Sequence, residues 1–246
     1  MEGAAYPTDD GYRDLLGRTE NSLEPMVAIV KEVCAQSVDV ADGLVFEAGT
    51  VIGERITEAA EYEGVRLRFQ GRLGTARVPM QLDVGFGDIV VPSPVRTKYP
   101  TILDLPAPEL LGYTRESLVA EKLEAMVKLG ELNSRMKDFF DIWLLSGSFD
   151  FEGRKLADAI ATTFKKRGTP IPDDVPVALA EDFASDRHKQ AQWAGFVQRL
   201  KLPDVPSLSA VVEGLRAFLL PPMHALKSGA QYDLNWIAAR GVWLRN

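Results

Sequence analysis

Apolar and polar residues alternate along the first half of the chain in the two-residue period of β-strands. Residues 65–69 read Val-Arg-Leu-Arg-Phe, and residues 78–86 place an apolar side chain at every even position. Gly71 to Thr75 supplies a turn between the two runs. Residues 64–87 are therefore predicted to form a β-hairpin with one apolar face.

Further elements are predicted on both sides of this hairpin. A helix is expected over residues 23–36, where apolar residues recur at helical spacing behind an Asn21-Ser22 cap. Helical spacing dominates the second half, with prolines between the helices. The other predicted strands cover 44–56 and 101–105, and the other predicted helices run from Thr114 or Ser117 to Leu129, from Asn133 to Leu145, and over 152–167, 185–200 and 207–220.

This order of elements predicts an α+β fold, in which a β-rich part precedes a helical C-terminal subdomain. The expected division lies near residue 113, which gives parts 1–113 and 114–246. The chain has 246 residues, of which 46% are hydrophobic. That content is enough for one sizeable core or for two smaller subdomains.

Composition excludes several classes of protein. With 28 basic and 35 acidic residues the net charge is −7, so net charge implies no general grip on nucleic acid, although a local basic groove remains compatible with it. The single Cys34 excludes an intrachain disulfide and a Cys-rich zinc site, and we expect it to be a buried thiol. His188 and His224 are interpreted as surface or packing residues.

No run approaches the ~18 apolar residues of a membrane helix and no signal peptide is recognisable, so we expect a soluble cytoplasmic protein without membrane contact.

Two charged residues lie where apolar residues dominate. Asp83 occupies the middle of a predicted strand, and Lys122 enters the apolar side of a predicted helix. Aspartate is unfavourable in strands and costly to desolvate, so either a solvated sheet face or a function accounts for it. Lysine can extend its ammonium group from an apolar face to water, so Lys122 has two interpretations as well.

The helix after Asn133 combines four charges with large apolar residues. Lys137 and Asp141 are four residues apart, and Arg135 and Asp138 are three apart, so each pair can meet on the helix surface. Apolar residues at 139, 140, 142 and 143 supply the buried side. The charges therefore crowd against the edge of the core, either as an ion-pair lattice that joins two helices or as part of a functional site.

Together, three segments resemble the AbiEii/AbiGii abortive-infection toxin family. They are Met-Gln-Leu-Asp-Val-Gly-Phe-Gly-Asp at 80–88, Glu-Ser-Leu-Val-Ala-Glu-Lys-Leu at 116–123, and Asn-Ser-Arg-Met-Lys-Asp-Phe-Phe-Asp-Ile at 133–142. The family combines a mid-strand aspartate motif, an Ala-Glu-Lys-Leu helix and an Arg-x-Lys-Asp-aromatic-x-Asp helix in this order and spacing. The resemblance covers residues 12–145, and the rest of the chain carries no motif that matches.

The resemblance implies a nucleotidyltransferase-like core with a mixed β-sheet. It also implies the toxin half of a toxin–antitoxin or phage-defence system, which transfers a nucleotide from an NTP to an acceptor such as tRNA or another RNA and has a cognate antitoxin protein. Mg²⁺ is the implied cofactor, because nucleotidyl transfer uses divalent ions held by carboxylates. Asp14 and Asp83 are the implied metal ligands and catalytic carboxylates.

The resemblance also assigns roles to the helical residues. Lys122 and Lys137 are implied as phosphate-facing cations, and Arg135 belongs with them in nucleotide binding. Asp138 and Asp141 are implied to brace or extend the site, Asp138 as a catalytic residue together with the two lysines and Asp141 as a nucleotide-binding residue. We expect both lysines to approach one cleft from adjacent antiparallel helices.

The opening motif departs from the family pattern. The family has a glycine-rich turn, a helix, and then Arg-x-Asp-x-Asp-Leu-Leu-Gly, whereas residues 11–18 read Gly-Tyr-Arg-Asp-Leu-Leu-Gly-Arg. Asp14 takes the place of the second aspartate and Tyr12 that of the first. We expect Asp14 to lie within about 8 Å of Asp83, with both facing one cleft, because the ligands of a two-metal site must converge.

Three explanations of this departure are open. The recorded chain starts late, or it is a degenerate member that binds nucleotide or RNA without catalysis, or Asp10 and Asp14 together replace the lost pair. The alternative to an enzyme is therefore a non-catalytic nucleotide- or RNA-binding interaction module with the same fold.

Overall fold

The computed structural model describes residues 6–7, 22–38, 42–58, 62–86, 91–99, 101, 104 and 106–245. The predicted α+β class is confirmed, because small antiparallel sheets stand beside a set of helices. Asp14, Tyr12 and Asp10 lie outside the described residues. No helix in the described ranges is both long enough and apolar enough to cross a membrane.

The elements are numbered in chain order. The strands are β1 (Tyr6–Pro7), β2 (Leu44–Glu58), β3 (Tyr62–Leu73), β4 (Ala76–Gly85), β5 (Val95–Lys98), β6 (Glu109–Gly112), β7 (Phe151–Glu152), β8 (Asn235–Ile237) and β9 (Val242–Leu244). The helices are α1 (Leu23–Cys34), α2 (Arg115–Leu129), α3 (Met136–Ser148), α4 (Gly153–Arg167), α5 (Glu181–Ser185), α6 (Arg187–Leu200) and α7 (Leu208–Lys227), with 3₁₀ turns at Gly130–Leu132 and Val177–Leu179.

Contacts group the described residues into two compact units. The first unit comprises the described residues between 22 and 86. The second comprises Tyr6–Pro7 and the described residues from 91 onwards. The division expected near residue 113 falls inside this second unit, so the short sheet β1-β6-β5 belongs with the helices that follow it.

In the first unit, α1 covers one face of the antiparallel sheet β2-β3-β4. The alternation that predicted the hairpin explains this arrangement. Val65 and Leu67 of β3 are fully buried with Met26 of α1, while Arg66 and Arg68 lie on the other face. The hairpin prediction is confirmed. Cys34 is buried in the same core, as expected, and burial raises the pKa of its thiol.

The second unit has a helical core made by α2, α3, α4 and α7. Leu123, Phe139, Ile160 and Leu215 are fully buried in it. The sheet β7-β8-β9 adds an aromatic cluster around Phe218 of α7, whose ring centroid lies 4.9–5.7 Å from the rings of Phe151, Trp236 and Trp243. This core fixes the positions of α2 and α3, on which most of the predicted site residues lie.

The predicted helices are present, with three differences of extent. The helix expected over 185–200 is α6, which begins at Arg187 because the Asp186 side chain accepts a hydrogen bond from the Lys189 amide and caps it; the short helix α5 precedes it and was not predicted. Likewise α3 begins at Met136, after the predicted start. Helix α7 continues past residue 220 through Pro221 and Pro222, since its buried face extends to Met223.

The predicted strand at 101–105 is not seen at its described residues, 101 and 104. Strands β5 and β6 pair on either side of it instead, with Val95 opposite Gly112 and Lys98 opposite Glu109. Prolines at 100, 106 and 108 surround the apolar run that suggested a strand. Proline lacks the N–H that a ladder hydrogen bond requires, so this proline-rich stretch suits a connection better than a strand.

Candidate functional site

Lys122 extends from α2 between two carboxylates of α3. Its Nζ lies 2.7 Å from Oδ1 of Asp138 and 2.8 Å from Oδ2 of Asp141. The two aspartates are three residues apart and therefore share a face of the helix. All three side chains are largely buried, with exposed fractions of 14%, 5% and 11%. A buried cation thus links the two helices.

The local sequence explains why α2 and α3 meet at these residues. Thr114 caps the start of α2 by accepting a hydrogen bond from the Ser117 amide. Gly130 ends the helix with a φ of 48°, a positive value that glycine adopts readily because it has no Cβ atom. A 3₁₀ turn follows, and Oδ1 of Asn133 accepts a hydrogen bond from the Arg135 amide just before α3 begins. This short connection makes the two helices neighbours.

Two further cations flank the buried group. Nζ of Lys137 lies 2.5 Å from Oδ2 of Asp141, and Nε of Arg135 lies 3.1 Å from Oδ2 of Asp138. Both side chains are more than half exposed. The Arg135 contact is an ion pair without hydrogen-bond geometry, and the buried Asp138 Oδ2 has no hydrogen-bond partner among the described residues. Three cations therefore face two carboxylates, and the cluster carries a net positive charge.

Burial and charge act in opposite directions on Lys122. Burial by itself would lower the pKa of the ammonium group, because it disfavours the charged form. The hydrogen bonds and charges of Asp138 and Asp141 outweigh that effect and raise the pKa above its usual value. Lys122 is therefore a permanent cation at neutral pH, which suits charge stabilisation and not proton transfer.

The structure brings together five of the residues selected from the sequence: Lys122, Arg135, Lys137, Asp138 and Asp141. Lys122 and Lys137 converge on the same oxygen of Asp141. These contacts are compatible with an ion-pair lattice that joins the two helices, and they are equally compatible with a cationic cluster that binds an anionic ligand. The chemical roles of the five residues stay predictions.

A pocket of about 520 Å³ lies beside this cluster, between the start of α3 and one face of α6. Arg135, Lys137 and Asp138 line the first wall. The second wall was missed from the sequence, and its lining residues are Ala191, Gln192, Gly195, Phe196 and Arg199. Their spacing of three and four residues marks one face of a helix, which was the available signal, but only the fold places that face opposite Arg135.

Asp83 lies in the middle of β4, directly opposite Arg66 of β3. The pair is bidentate, with Nε to Oδ1 and Nη2 to Oδ2 both at 2.8 Å, and Gln81 donates a further hydrogen bond at 3.3 Å. The hydrogen bond from Arg66 is the main reason why the pKa of Asp83 is lowered. The side chain is 41% exposed. Asp83 therefore lies on an accessible, charged face of the sheet. This agrees with the solvated sheet face, one of the two interpretations drawn from the sequence.

Other ion pairs follow along the same sheet. Arg68 contacts Glu54 at 2.9 Å, and Arg72 lies 3.8 Å from Glu47. Each pair joins β3 to β2. These exposed pairs account for the alternating arginines of β3 without a ligand.

The described residues do not by themselves form a metal site. They contain no group of three or more His, Cys, Asp or Glu side chains close enough to hold an ion. Asp83 offers one carboxylate, which Arg66 already binds at both oxygens. Asp14, the other predicted ligand, lies outside the described residues, so the predicted approach of Asp14 to Asp83 stays a prediction.

Glu124 is a second buried charge of α2 that sequence reasoning did not select. It accepts hydrogen bonds from Arg167 at the end of α4, at 2.9 Å, and from the Thr169 hydroxyl. Its side chain is 2% exposed. Glu124 therefore has a different role from the one assigned to Lys122. It joins α2 to the end of α4.

The α+β fold is consistent with that of a nucleotidyltransferase-like protein. A family model described as the nucleotidyl transferase AbiEii toxin of a type IV toxin–antitoxin system matches residues 14–217. The chain belongs to this family. The matched range extends well beyond residues 12–145, over which the motifs resembled the family, and includes α6 and the first half of α7. Searches of curated proteins and of solved structures found no match.

Proposed function

We propose that this chain binds a nucleoside triphosphate beside the Lys122 cluster and transfers its nucleotide to an RNA acceptor. The observation that carries the proposal is the buried Lys122, held between Asp138 and Asp141 with Arg135 and Lys137 at the edge. In nucleotidyl transfer an acceptor hydroxyl attacks the α-phosphorus and pyrophosphate leaves. Fixed cations stabilise the charge that develops on the phosphate oxygens.

The three cations differ in burial, so we assign them different roles in binding. Lys122 is buried and held by two carboxylates, so it provides a charge at a fixed position. Lys137 and Arg135 are exposed, and exposed ion pairs are weak. They can exchange their carboxylate for a phosphate oxygen at little cost. A bound triphosphate would then contact the two exposed cations directly, with the fixed charge of Lys122 behind them.

The biological setting of the proposal is the family's toxin–antitoxin system. The acceptor would be tRNA or another RNA in the cytoplasm, and a cognate antitoxin protein would restrain the activity. The positive cluster supports an anionic acceptor, since it stands out in a chain whose net charge is −7.

Nucleotidyltransferases as a class use a divalent metal, and Mg²⁺ with Asp14 and Asp83 as ligands is part of the proposal. Asp83 is ionised at neutral pH, because Arg66 lowers its pKa. Any metal ion at Asp83 would lie close to the positive charge of Arg66, which binds both oxygens of the carboxylate. We expect weak metal binding for that reason.

A second candidate is a nucleotide- or RNA-binding module that has lost catalysis. Two observations favour it: Tyr12 stands where the resemblance places the first aspartate, and Arg66 occupies both oxygens of Asp83. Such a module would keep the Lys122 cluster and bind the same ligands. Only a transfer assay separates it from an enzyme.

We expect the chain as printed to show weak Mg²⁺-dependent transfer and Tyr12→Asp to increase it by about tenfold or more, because a restored carboxylate supplies the missing anionic ligand. The assay incubates the protein with each α-labelled NTP, Mg²⁺ and bulk tRNA or total RNA. Tyr99→Asp adds the same charge at an exposed tyrosine and serves as the control.

The same assay decides between the two candidates. Loss of the Tyr12→Asp activity in Tyr12→Asp/Asp83→Asn would support Asp83 as a ligand. If neither the printed chain nor Tyr12→Asp transfers any nucleotide while both bind NTP, the binding module is correct. Strong transfer that survives Asp83→Asn would refute the assigned carboxylate.

A further inference from the structure

We infer that the pocket between α3 and α6 binds a phosphate group of a nucleotide, with Arg199 as its receiving cation and Gly195 as the residue that keeps it open. The inference rests on the proposed function and goes beyond it, because neither residue belongs to the three motifs that define the site. The phosphate comes either from a free NTP or from the RNA acceptor, and the test below distinguishes these sources.

Arg199 is the uncompensated charge of the pocket. The other two cations that line it, Arg135 and Lys137, each contact a carboxylate of α3. Arg199 is exposed and makes no ion pair with any residue that the structure describes. A guanidinium group binds phosphate through two parallel hydrogen bonds, so an unpaired arginine on a pocket wall is suited to this ligand.

Gly195 lies in the interior of α6, where glycine is unfavourable. Glycine costs a helix about 1 kcal/mol relative to alanine at such a position. A Cβ atom at Gly195 would meet no heavy atom within 4 Å, so close packing does not require glycine here. The space in front of Gly195 belongs to the pocket. Its missing side chain therefore leaves room for a ligand.

The second wall is held in place by three contacts along one face of α6. The rings of Phe196 and Phe140 lie 5.7 Å apart and join α6 to α3. Nε1 of Trp193 donates a hydrogen bond to the Pro206 carbonyl at 2.9 Å, and Nζ of Lys189 donates one to the Asn133 carbonyl at 2.8 Å. The pocket is thus formed before any ligand binds, which lowers the entropy cost of binding.

The lining offers what a nucleotide needs beyond one cation. Lys137 and Arg135 face Arg199 across the pocket, so a phosphate between them would contact positive charge on both walls. Phe196 is half-buried and presents apolar surface beside the charges. Gln192, one turn before Phe196, adds an amide that can both donate and accept hydrogen bonds. Phosphate, ribose and base each find a matching group.

The test measures binding to the full chain by isothermal titration. The probes are inorganic tripolyphosphate, each of the four NTPs, and a single-stranded RNA of about eight nucleotides, a length within the site sizes of single-strand binders. We expect Arg199→Ala to weaken binding of at least one probe about tenfold and Arg199→Lys to weaken it less. Arg187→Ala removes the same charge about 18 Å away along the axis of α6 and should change nothing.

Gly195 provides an independent variant that tests the space and not the charge. Gly195→Leu should abolish the binding that Arg199→Ala weakens, because its side chain fills the pocket. Gly195→Ala should raise the thermal midpoint by about 2–4 °C, which shows that the helix itself does not need glycine. Circular dichroism confirms that each variant is folded.

The outcomes separate this inference from the proposed function. A loss with tripolyphosphate and NTPs places the free triphosphate in the pocket, and a loss with RNA alone places the acceptor there; both support the inference. Unchanged binding in Arg199→Ala and Gly195→Leu overturns it, and leaves the proposed function standing if Lys122→Met no longer binds NTP. A wild-type chain that binds none of the probes overturns both.

Discussion

Replacing Lys122 with methionine should lower the free energy of unfolding by about 3 kcal/mol. The substitution leaves Asp138 and Asp141 buried without the cation between them. Arg135 and Lys137 remain in contact with the two carboxylates, so the expected loss lies at the lower end of what a broken buried ion pair costs. Urea unfolding followed by circular dichroism measures this difference.

Lys137→Met is the matched control for this prediction. It removes the same group from the same carboxylate, Asp141, but from a side chain that is 61% exposed. We expect a loss below about 1 kcal/mol, as for other exposed pairs. Equal losses for Lys122→Met and Lys137→Met would show that burial of Lys122 does not govern the strength of the cluster.

The pH dependence of the Lys122→Met effect follows from its pKa. That pKa is raised in the folded state, so the stabilisation is fully present below the unfolded value of about 10.4 and is lost as the pH rises through the folded value. The stability difference between wild type and Lys122→Met should therefore stay constant from about pH 6 to about pH 9 and decrease only above about pH 10.5. A decrease already at pH 8 would contradict the raised pKa.

Glu124→Ala should destabilise the second unit by a similar amount, about 3 kcal/mol. It removes the acceptor of Arg167 and Thr169 and leaves the guanidinium group, which is 18% exposed, without its nearest carboxylate. The loss should detach the end of α4 from α2. Thermal and urea unfolding measure the loss, and hydrogen exchange at the end of α4 reports where it acts.

The control for Glu124 is its neighbour Glu121, one turn earlier on α2. Glu121 lies 3.8 Å from the same Arg167 and is more exposed. Glu121→Ala should cost below about 1 kcal/mol. Glu124→Gln, which keeps the shape and one acceptor, should fall between the two alanine variants. A loss for Glu121→Ala as large as for Glu124→Ala would contradict the central role given to Glu124.

The sequence predicts those parts of the fold that depend on neighbours along the chain. The alternation at 65–69 was sufficient for the hairpin, because a period of two decides which face is buried. The pairs Lys137–Asp141 and Arg135–Asp138 also follow from helical spacing and are present. The short apolar run at 101–105 misled the prediction, since a run of this length is typical of a strand while the prolines around it remove hydrogen-bond donors.

Contacts between distant segments could not be predicted in this way. Lys122 reaches Asp138 only because α2 and α3 pack side by side, and Arg66 meets Asp83 only through the register of β3 and β4. Arg199 stands opposite Arg135 because α6 packs against α3, more than fifty residues further along the chain. A periodic pattern within one segment of the sequence cannot report which distant segments meet in the fold. The motifs therefore predicted one wall of the pocket and not the other.

If the Lys122 cluster binds nucleotide, Lys137 should take part in that binding without supporting the fold. Isothermal titration of the full chain with each NTP, with and without Mg²⁺, is compared with the same titration of Lys137→Met. We expect wild type to bind at least one NTP and Lys137→Met to bind it about tenfold more weakly, while the thermal midpoint changes by less than about 4 °C. Equal binding by both proteins, or no binding by wild type, would contradict this expectation and reduce the cluster to an ion-pair lattice that joins α2 to α3.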